Sequence, residues 1–457
     1  MTVHTQTAPS HADFRTLIDR TPMSAYQWLI VGVACFVNAL DGYDLVAMAF
    51  TATPVSEEFV LSASHLGWLL SSALIGIAIG AVILAPLADR LGRKRLIVVS
   101  LLINLLGLIL TNFAGDATTL FIYRVITGIG VGGVLACATV LTSEFSNLRF
   151  RGLAMAIYAA GYGLGATLCG VLANGLVPTY GWRAIFVTGA ALTAVALLVV
   201  LWLVPETPEA LATHQGQDAV QQLAVKLKKA QPGEPVQVRI RDKGDNARVS
   251  ELLAPEFWKK TLLLWLAFGL VMLGFNFASQ WTPKLLEQAG LDPEQSVLGG
   301  IMLMFGGTIG SLAFGLLTTR FTPRAVLIGF SGVAAVVLVA FISSTSFPAL
   351  MFVAGVAVGM LLNGCVTGIY TVTPQSYPFR LRGTGVGVAL GVSRFGAILG
   401  PVLVGYLVDN GWTPVALYVG CAGVMILTML AILALQGPKR RTPKPSSPVQ
   451  HAAKQRA

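Results

Sequence analysis

Charge is what this chain has least of. Only 11% of its 457 residues are Asp, Glu, Lys or Arg, against about 25% in a soluble domain, while 55% are hydrophobic. A water-facing surface for a chain of this length cannot be made from so few charges, so composition places it in the membrane. The five cysteines, Cys35, Cys137, Cys169, Cys365 and Cys421, fall singly in apolar runs, which excludes a metal-ligand spacing or a disulfide framework. The five histidines fall in tails, loops or a helix edge. With no histidine deep in an apolar run, any intramembrane proton carrier must be a carboxylate. The chain also lacks a nucleotide-binding glycine loop and a catalytic triad. It therefore reads as no enzyme, with no cofactor and no metal.

What is abundant is long apolar sequence. Twelve runs recur, near 26–50, 66–87, 96–114, 118–142, 153–177, 183–204, 260–282, 297–317, 325–344, 348–373, 384–408 and 414–436. Each is long enough to cross a hydrocarbon core of about 30 Å as a helix. The fold expected is an all-α membrane protein of twelve transmembrane helices. The expected division is a tail over 1–25, six helices over 26–204, a central loop over 205–259, six helices over 260–436 and a tail over 437–457. The first 25 residues are polar, with no cleavable signal ahead of the first run. The central loop, rich in Lys, Gln, Glu, Gly and Pro, reads as a linker.

The net charge of +10 could suggest nucleic acid, but the location of the cations argues otherwise. With both termini placed in the cytoplasm, 27 of the 31 Lys and Arg fall on that side, nine of them in residues 205–260. The opposite loops hold only Arg183 and Lys284, and Arg124 and Arg394 lie inside apolar runs. This is the positive-inside asymmetry, and it predicts a multi-pass protein of the cell (inner) membrane with cytoplasmic termini.

The chain also repeats itself. GAVILAPLADRLGRKR at 80–95 aligns with GSLAFGLLTTRFTPRA at 310–325, matching Gly80 to Gly310 and Arg90 to Arg320. Arg149-Phe150-Arg151-Gly152 recurs as Arg380-Leu381-Arg382-Gly383, Gly181-Trp182 as Gly411-Trp412, and Thr53-Pro54 as Thr282-Pro283, all at offsets of 229–231. Two pseudo-symmetric six-helix halves with a site between them describe a secondary transporter.

Here the motifs acquire a likeness. Leu87-Ala88-Asp89-Arg90-Leu91-Gly92-Arg93-Lys94-Arg95 resembles the signature loop between helices 2 and 3 of the major facilitator superfamily, and Val204-Pro205-Glu206-Thr207-Pro208 resembles its motif after helix 6. Asp41-Gly42-Tyr43-Asp44 resembles the first helix of the aromatic acid:proton symporter family within it. The resemblance spans roughly residues 20–436. It implies proton-coupled uptake, by alternating access, of a small benzoate- or hydroxybenzoate-like acid, with the lipid bilayer as surroundings and a monomer as the working unit. The alternatives are a muconate-like dicarboxylate, a sugar porter and a drug/proton antiporter. A sugar porter has no need of the Asp41–Asp44 pair, and an antiporter would usually carry Gly-Pro where this chain has Gly165-Ala166. In one place the chain departs from the family: the acid usual in the helix 8–9 loop is Thr319 here, which predicts a weaker or differently built second gate.

Asp41 and Asp44 stand three apart in an apolar helix, where each costs about 2.5–3.5 kcal/mol before it finds a partner. At least one is expected to carry the coupling proton; the alternative is a pair that holds helices together. Arg124 lies about 10 Å from the outer surface, at a depth similar to Asp44. It can pair with an acid of the first helix, receive a substrate carboxylate, or snorkel to the headgroups. Arg394 sits near the midplane, where it must face water, an anion or backbone carbonyls. For an aromatic ligand, Asn276, Asn363, Tyr43 and Trp281 are candidate contacts. Asp89, Arg90 and Arg93, with Glu144, Arg151 and Arg382, form charged helix junctions. The resemblance assigns them to gating through interdomain salt bridges.

Overall fold

The structure, a computed structural model, describes residues 12–214, 216–231, 236–238 and 249–435. The tail expected over 437–457 lies outside the described residues. Twelve helices among them are long and apolar enough to cross a membrane. In chain order they are α1 (Ala25–Phe50), α2 (Ala63–Ile83), α3 (Arg93–Thr111), α4 (Ala117–Phe145), α5 (Arg151–Tyr180) and α6 (Arg183–Leu203). The second set is α7 (Trp258–Gln288), α8 (Pro293–Leu317), α9 (Pro323–Ser343), α10 (Pro348–Gln375), α11 (Phe379–Asp409) and α12 (Pro414–Ala434). Several start as helix-capping chemistry predicts. Ser24 and Gln27 form a reciprocal capping box at α1, and Asp116 accepts from the amides of Thr118 and Thr119 at α4. Prolines open α8, α9, α10 and α12, where a missing N–H costs nothing.

In hydrocarbon no water-driven force pulls apolar helices together, so close approach of small residues must do it. Gly76 and Gly80 of α2 lie against the carbonyls of Val125 and Ile129 in α4; a Cβ at either would stand 2.2 Å from the oxygen. Gly306 and Gly310 of α8 meet the carbonyls of Val356 and Met360 in α10 in the same way, at 2.0 and 2.1 Å. The residues on α2 and α8 are related by an offset of 230, those on α4 and α10 by 231. The repeat seen in the sequence is thus a repeat of helix contacts. Gly165 against Ala39 recurs as Gly396 against Gly269. Gly181 and Gly411 both turn the chain at positive φ, 77° and 82°, after α5 and α11.

The face carrying residue 24, the start of α1, is called here the tail face, and the other the far face. Hydrogen bonds across the seam between the halves cluster toward the far face. Asp409 at the end of α11 accepts from Ala63 N and Ser64 N, at 2.9 and 2.8 Å, and so caps α2 from the other half. Thr53 donates to Glu287 and accepts from Lys284. Gln280 donates to the carbonyl of Leu45 at 3.2 Å, and Ser71 to that of Ile398 at 2.8 Å. Within the first half, Glu58 accepts from Trp182 Nε1 at 2.6 Å and from both terminal nitrogens of Arg183, whose hydrogen bonds hold its carboxyl below the usual range.

On the tail face the structure departs from the expected plain tail and linker. Residues Phe14–Arg20 form a helix that buries Phe14 and Ile18, and Ala12–Asp13 pairs in parallel with Val236–Gln237. Pro208–His214 and Gln217–Lys226 are also helical, the latter burying Val220, Leu223 and Ala224. Composition hid this because one narrow apolar stripe suffices to dock a short helix, and the Lys and Gln on its other faces dominate the count. Arg15 reaches the carbonyls of Ser143 and Glu144, at 3.3 and 2.8 Å, satisfying orphan groups at the end of α4.

The α1–α5 contact gives a test. A methyl at Gly165 would stand 1.7 Å from the Ala39 carbonyl, whereas one at Gly175 of the same helix meets nothing within 4 Å. Overpacking typically costs about 1–3 kcal/mol. Gly165→Ala should lower the unfolding midpoint in detergent by about 5 °C, with Gly175→Ala unchanged within about 1 °C. Equal midpoints for the two variants would refute the close-packing account.

Candidate functional site

Two charges meet deep in the first half. Arg124 of α4, fully buried, donates Nη1 to Asp44 Oδ1 at 2.6 Å and Nη2 to the Asp44 backbone carbonyl at 2.8 Å. Its guanidinium also lies over the Phe186 ring, 5.2 Å from the centroid. The fork geometry of arginine makes this possible, since one group satisfies a side chain and a carbonyl of the same residue. Arg124 therefore does not snorkel. It was a candidate for substrate binding, but with two bonds to Asp44 and no exposed surface it has no free face for an incoming anion in this conformation.

Asp41 differs. One helical turn away it is buried, yet its Oδ2 has no hydrogen-bond partner and it takes part in no ion pair. Around it stand hydroxyls that the residue pattern did not single out. Tyr158 and Tyr162, one turn apart on α5, are near enough to feel its charge. Both hydroxyls are buried without a partner. The helices are closely packed here: Gly42 lies against the Tyr162 carbonyl and Gly161 against that of Cys35, so α5 runs tightly along the face of α1 that carries Cys35, Ala39 and Gly42. Two tyrosines four apart in an apolar helix look like packing residues, and only the adjoining glycines hint at a helix pressed against its neighbour.

The second half supplies the facing groups. Arg394 of α11 is half-buried and lies within electrostatic reach of Tyr162. Tyr370 of α10, 42% exposed, acts electrostatically on Tyr158. Asn276 and Gln280, four apart on α7, spend their amide nitrogens on the Met272 and Leu45 carbonyls and leave Oδ1 and Oε1 without partners. Thr308 Oγ1, opposite Gly163, is likewise buried and unpartnered. Buried polar atoms are rarely left unpaired, so these groups are candidates for contact with a polar ligand.

Three other expected contacts bond to backbone carbonyls of neighbouring helices. Tyr43, between the two acids in sequence, points to α6 and donates to the Ile185 carbonyl at 2.8 Å. Trp281 is fully buried, its indole N–H on the Pro401 carbonyl at 3.1 Å, binding α7 to α11. Asn363 is half-buried and donates to the Gly307 carbonyl at 2.5 Å and to Ser311 at 3.2 Å, joining α10 to α8. In each case the rotation of the helix, which residue type does not reveal, decides the outcome.

Two ion pairs of the charged junctions are built within the first half. Arg93 pairs with Glu144, and Arg151 pairs with Asp19 of the N-terminal helix at 2.6 Å instead of joining Glu144. Neither pair crosses the seam. Asp89 and Arg90 lie in the short helix Ala88–Leu91, their side chains outside the described part, and Arg382 is exposed at the tail-face start of α11. Thr319 turns its hydroxyl onto the Leu316 carbonyl. Glu206 accepts from the amides of Lys94 and Thr207, both at 3.0 Å, and so caps α3. Gly92, at φ 91°, is required there, because a Cβ would stand 2.6 Å from Glu206 Oε2. The two signature motifs thus meet as one anion-capped helix start.

The ion pair predicts an asymmetry. Removing one partner strands a buried charge, at about 3–5 kcal/mol, whereas removing both leaves two neutral groups. Arg124→Gln should therefore lower the unfolding midpoint more than the Arg124→Gln/Asp44→Asn double variant does. A double variant as unstable as the sum of the singles would contradict the pairing.

Comparison with known proteins agrees with this architecture. The family model of the Major Facilitator Superfamily matches residues 31–321 and 301–456. The 4-hydroxybenzoate transporter PcaK of Acinetobacter baylyi is 29% identical over 94% of this chain and 93% of its own. The gallate transporter of Pseudomonas putida is 31% identical over 87% and 89%, and the 3-(3-hydroxy-phenyl)propionate transporter of Escherichia coli 30% over 92% and 98%. Among solved structures, the inward open conformation of the xylose transporter XylE from E. coli superposes with a TM-score of 0.71 at 16% identity, covering 91% of this chain and 98% of that one. At that identity the likeness is one of fold. Twelve spans in two repeats, the capped signature loop and these matches together make the chain a transporter of the Major Facilitator Superfamily.

Proposed function

We propose that the protein is a proton-coupled symporter that takes up a small aromatic carboxylate by alternating access, working as a monomer in the inner membrane. The observation that carries this reading is the division between the two acids: Asp44 is locked to Arg124, while Asp41, one turn away, is buried with its Oδ2 unpartnered and in no ion pair. A group that must gain and lose a proton in each cycle has to do so without dismantling the fold. Asp41 meets that condition and Asp44 does not. The relatives that cover most of the chain are named for hydroxybenzoate, gallate and hydroxyphenylpropionate, each an aromatic ring with a carboxylate.

The tail face is taken as cytoplasmic, on the distribution of Lys and Arg. The seam bonds gathered on the far face then correspond to a state closed to the outside. An anion entering against an inside-negative potential is opposed by about 2.3 kcal/mol per 100 mV, so accumulation requires protons to enter with it. In the outward-facing state Asp41 takes a proton and the substrate carboxylate meets Arg394, whose planar fork suits a carboxylate. The far-face bonds then form, the seam parts at the tail face, and both are released. The junctions at Asp89, Arg90, Arg93–Glu144, Arg151 and Arg382 would close the tail face in the opposite state.

In proteoliposomes with an imposed pH gradient, Asp41→Asn should abolish accumulation of 4-hydroxybenzoate yet retain counterflow, because exchange needs binding but no net proton release. Accumulation by Asp41→Asn at the wild-type level would refute Asp41 as the carrier. Arg394→Lys should raise the half-saturation concentration about tenfold through loss of the bidentate contact, and the neutral 4-hydroxybenzamide should compete poorly. Strong competition by that amide would refute an anion site.

A further inference from the structure

Tyr162 bridges what the two halves otherwise keep apart. Its backbone carbonyl presses on Gly42, next to Asp41, where a Cβ would stand 2.0 Å from the oxygen. Its ring leaves α5 for the other half and meets Phe275 of α7, with centroids 6.5 Å apart. The hydroxyl at the end of that ring is buried and has no partner. The charges within its reach are Asp41 of its own half and Arg394 of the other. Asp41 and Arg394 form no ion pair with each other. Among the described residues, Asp44, held by Arg124, also acts on Asp41, and Tyr158 senses Asp41 and Tyr370.

We propose that Tyr162 is the residue that couples the proton to the substrate, because its single O–H is contested by the Asp41 carboxylate and by a substrate carboxylate held on Arg394. The inference rests on the symport reading above and supplies the contact through which it works. A phenol can donate one hydrogen bond and accept another. While Asp41 is ionised, the hydroxyl donates to it, and a substrate anion at Arg394 finds that donor occupied. Once Asp41 is protonated, its own O–H donates to the phenol oxygen, and the phenolic O–H turns to the substrate. Proton and substrate therefore favour each other's binding, and the coupling is reciprocal: substrate raises proton occupancy as much as the proton raises substrate affinity. Arg394 acts on Tyr162, so the role falls to it and not to Tyr158, which senses Asp41 and Tyr370.

The test is the affinity for 4-hydroxybenzoate between pH 6 and pH 8, with protons moved per substrate counted in proteoliposomes. Coupled binding of proton and substrate predicts that wild type loses about tenfold in affinity over that range. Tyr162→Phe removes one unpartnered hydroxyl and keeps the ring against Phe275, so it should fold; an unchanged unfolding midpoint checks this. It should bind with an affinity that changes less than about twofold over the same range and move fewer protons per substrate. Tyr158→Phe should keep the wild-type pH slope. A wild-type slope and proton count in Tyr162→Phe would overturn the proposal while leaving symport intact. Substrate uptake by wild type without protons would overturn symport itself, and this coupling with it.

Discussion

A guanidinium about 10 Å inside a bilayer persists only if its charge is met at once, because neither water nor headgroups can reach it. Arg124 meets that constraint through Asp44, with one bond to the carboxylate and one to the carbonyl of the same residue. The double bond fixes both the depth and the rotation of α1 relative to α4. Once α1 is fixed in this way, Tyr43 faces α6 and Gly42, next to Asp41, lies against α5. The assignment of roles to the acids is therefore a consequence of packing and of which one the arginine can reach.

The repeat makes the placement of charge easier to judge. Contact registers relate α1 to α7 by 230 and α5 to α11 by 231, as Gly165 on Ala39 and Gly396 on Gly269 show. Under these registers Asp41 and Asp44 correspond to Val271 and Gly274, and Arg394 corresponds to Gly163. The α4–α10 register of 231 puts Gly355 opposite Arg124, one residue on from the Ala354 that a plain 230 offset gives. The backbone plan is thus common to both halves while the charges are not. The first half carries the acids and the ion pair, and the second carries Arg394, which acts electrostatically on Tyr162. Such an asymmetry on a symmetric frame brings an anion site and a proton site together from different bodies, where a relative movement of the halves can join or part them.

Much of this was legible in the sequence, and the rest failed for physical reasons. A charge in an apolar run is costly wherever it faces, so Asp41, Asp44, Arg124 and Arg394 were recognisable from composition alone. An aromatic or an amide is tolerated on any face, so Tyr43, Trp281 and Asn363 could be assigned only once helix rotation was known, and Tyr158 and Tyr162 passed as packing. The folded pieces of the central loop were hidden for a related reason. Val220, Leu223 and Ala224 keep helical spacing, but the charged and amide residues between them dominate a count.

The segment from Asp41 to Thr53 ties these elements into one device. Along a little more than three turns of α1 come the unpaired acid, the ion pair, the Leu45 carbonyl that accepts from Gln280, and, just past its end, Thr53 with its bonds to Glu287 and Lys284. A helix held at one level by Arg124 and by glycine contacts with α5 moves as a rigid rod. A change at Asp41 therefore need not pass through a chain of side chains to reach the far-face seal; the same rod carries both. For a two-state seam this is sufficient, because the bonds of Gln280 and Thr53 are made in one arrangement and broken when the halves part. The state of one buried carboxyl then biases which arrangement is lower in free energy.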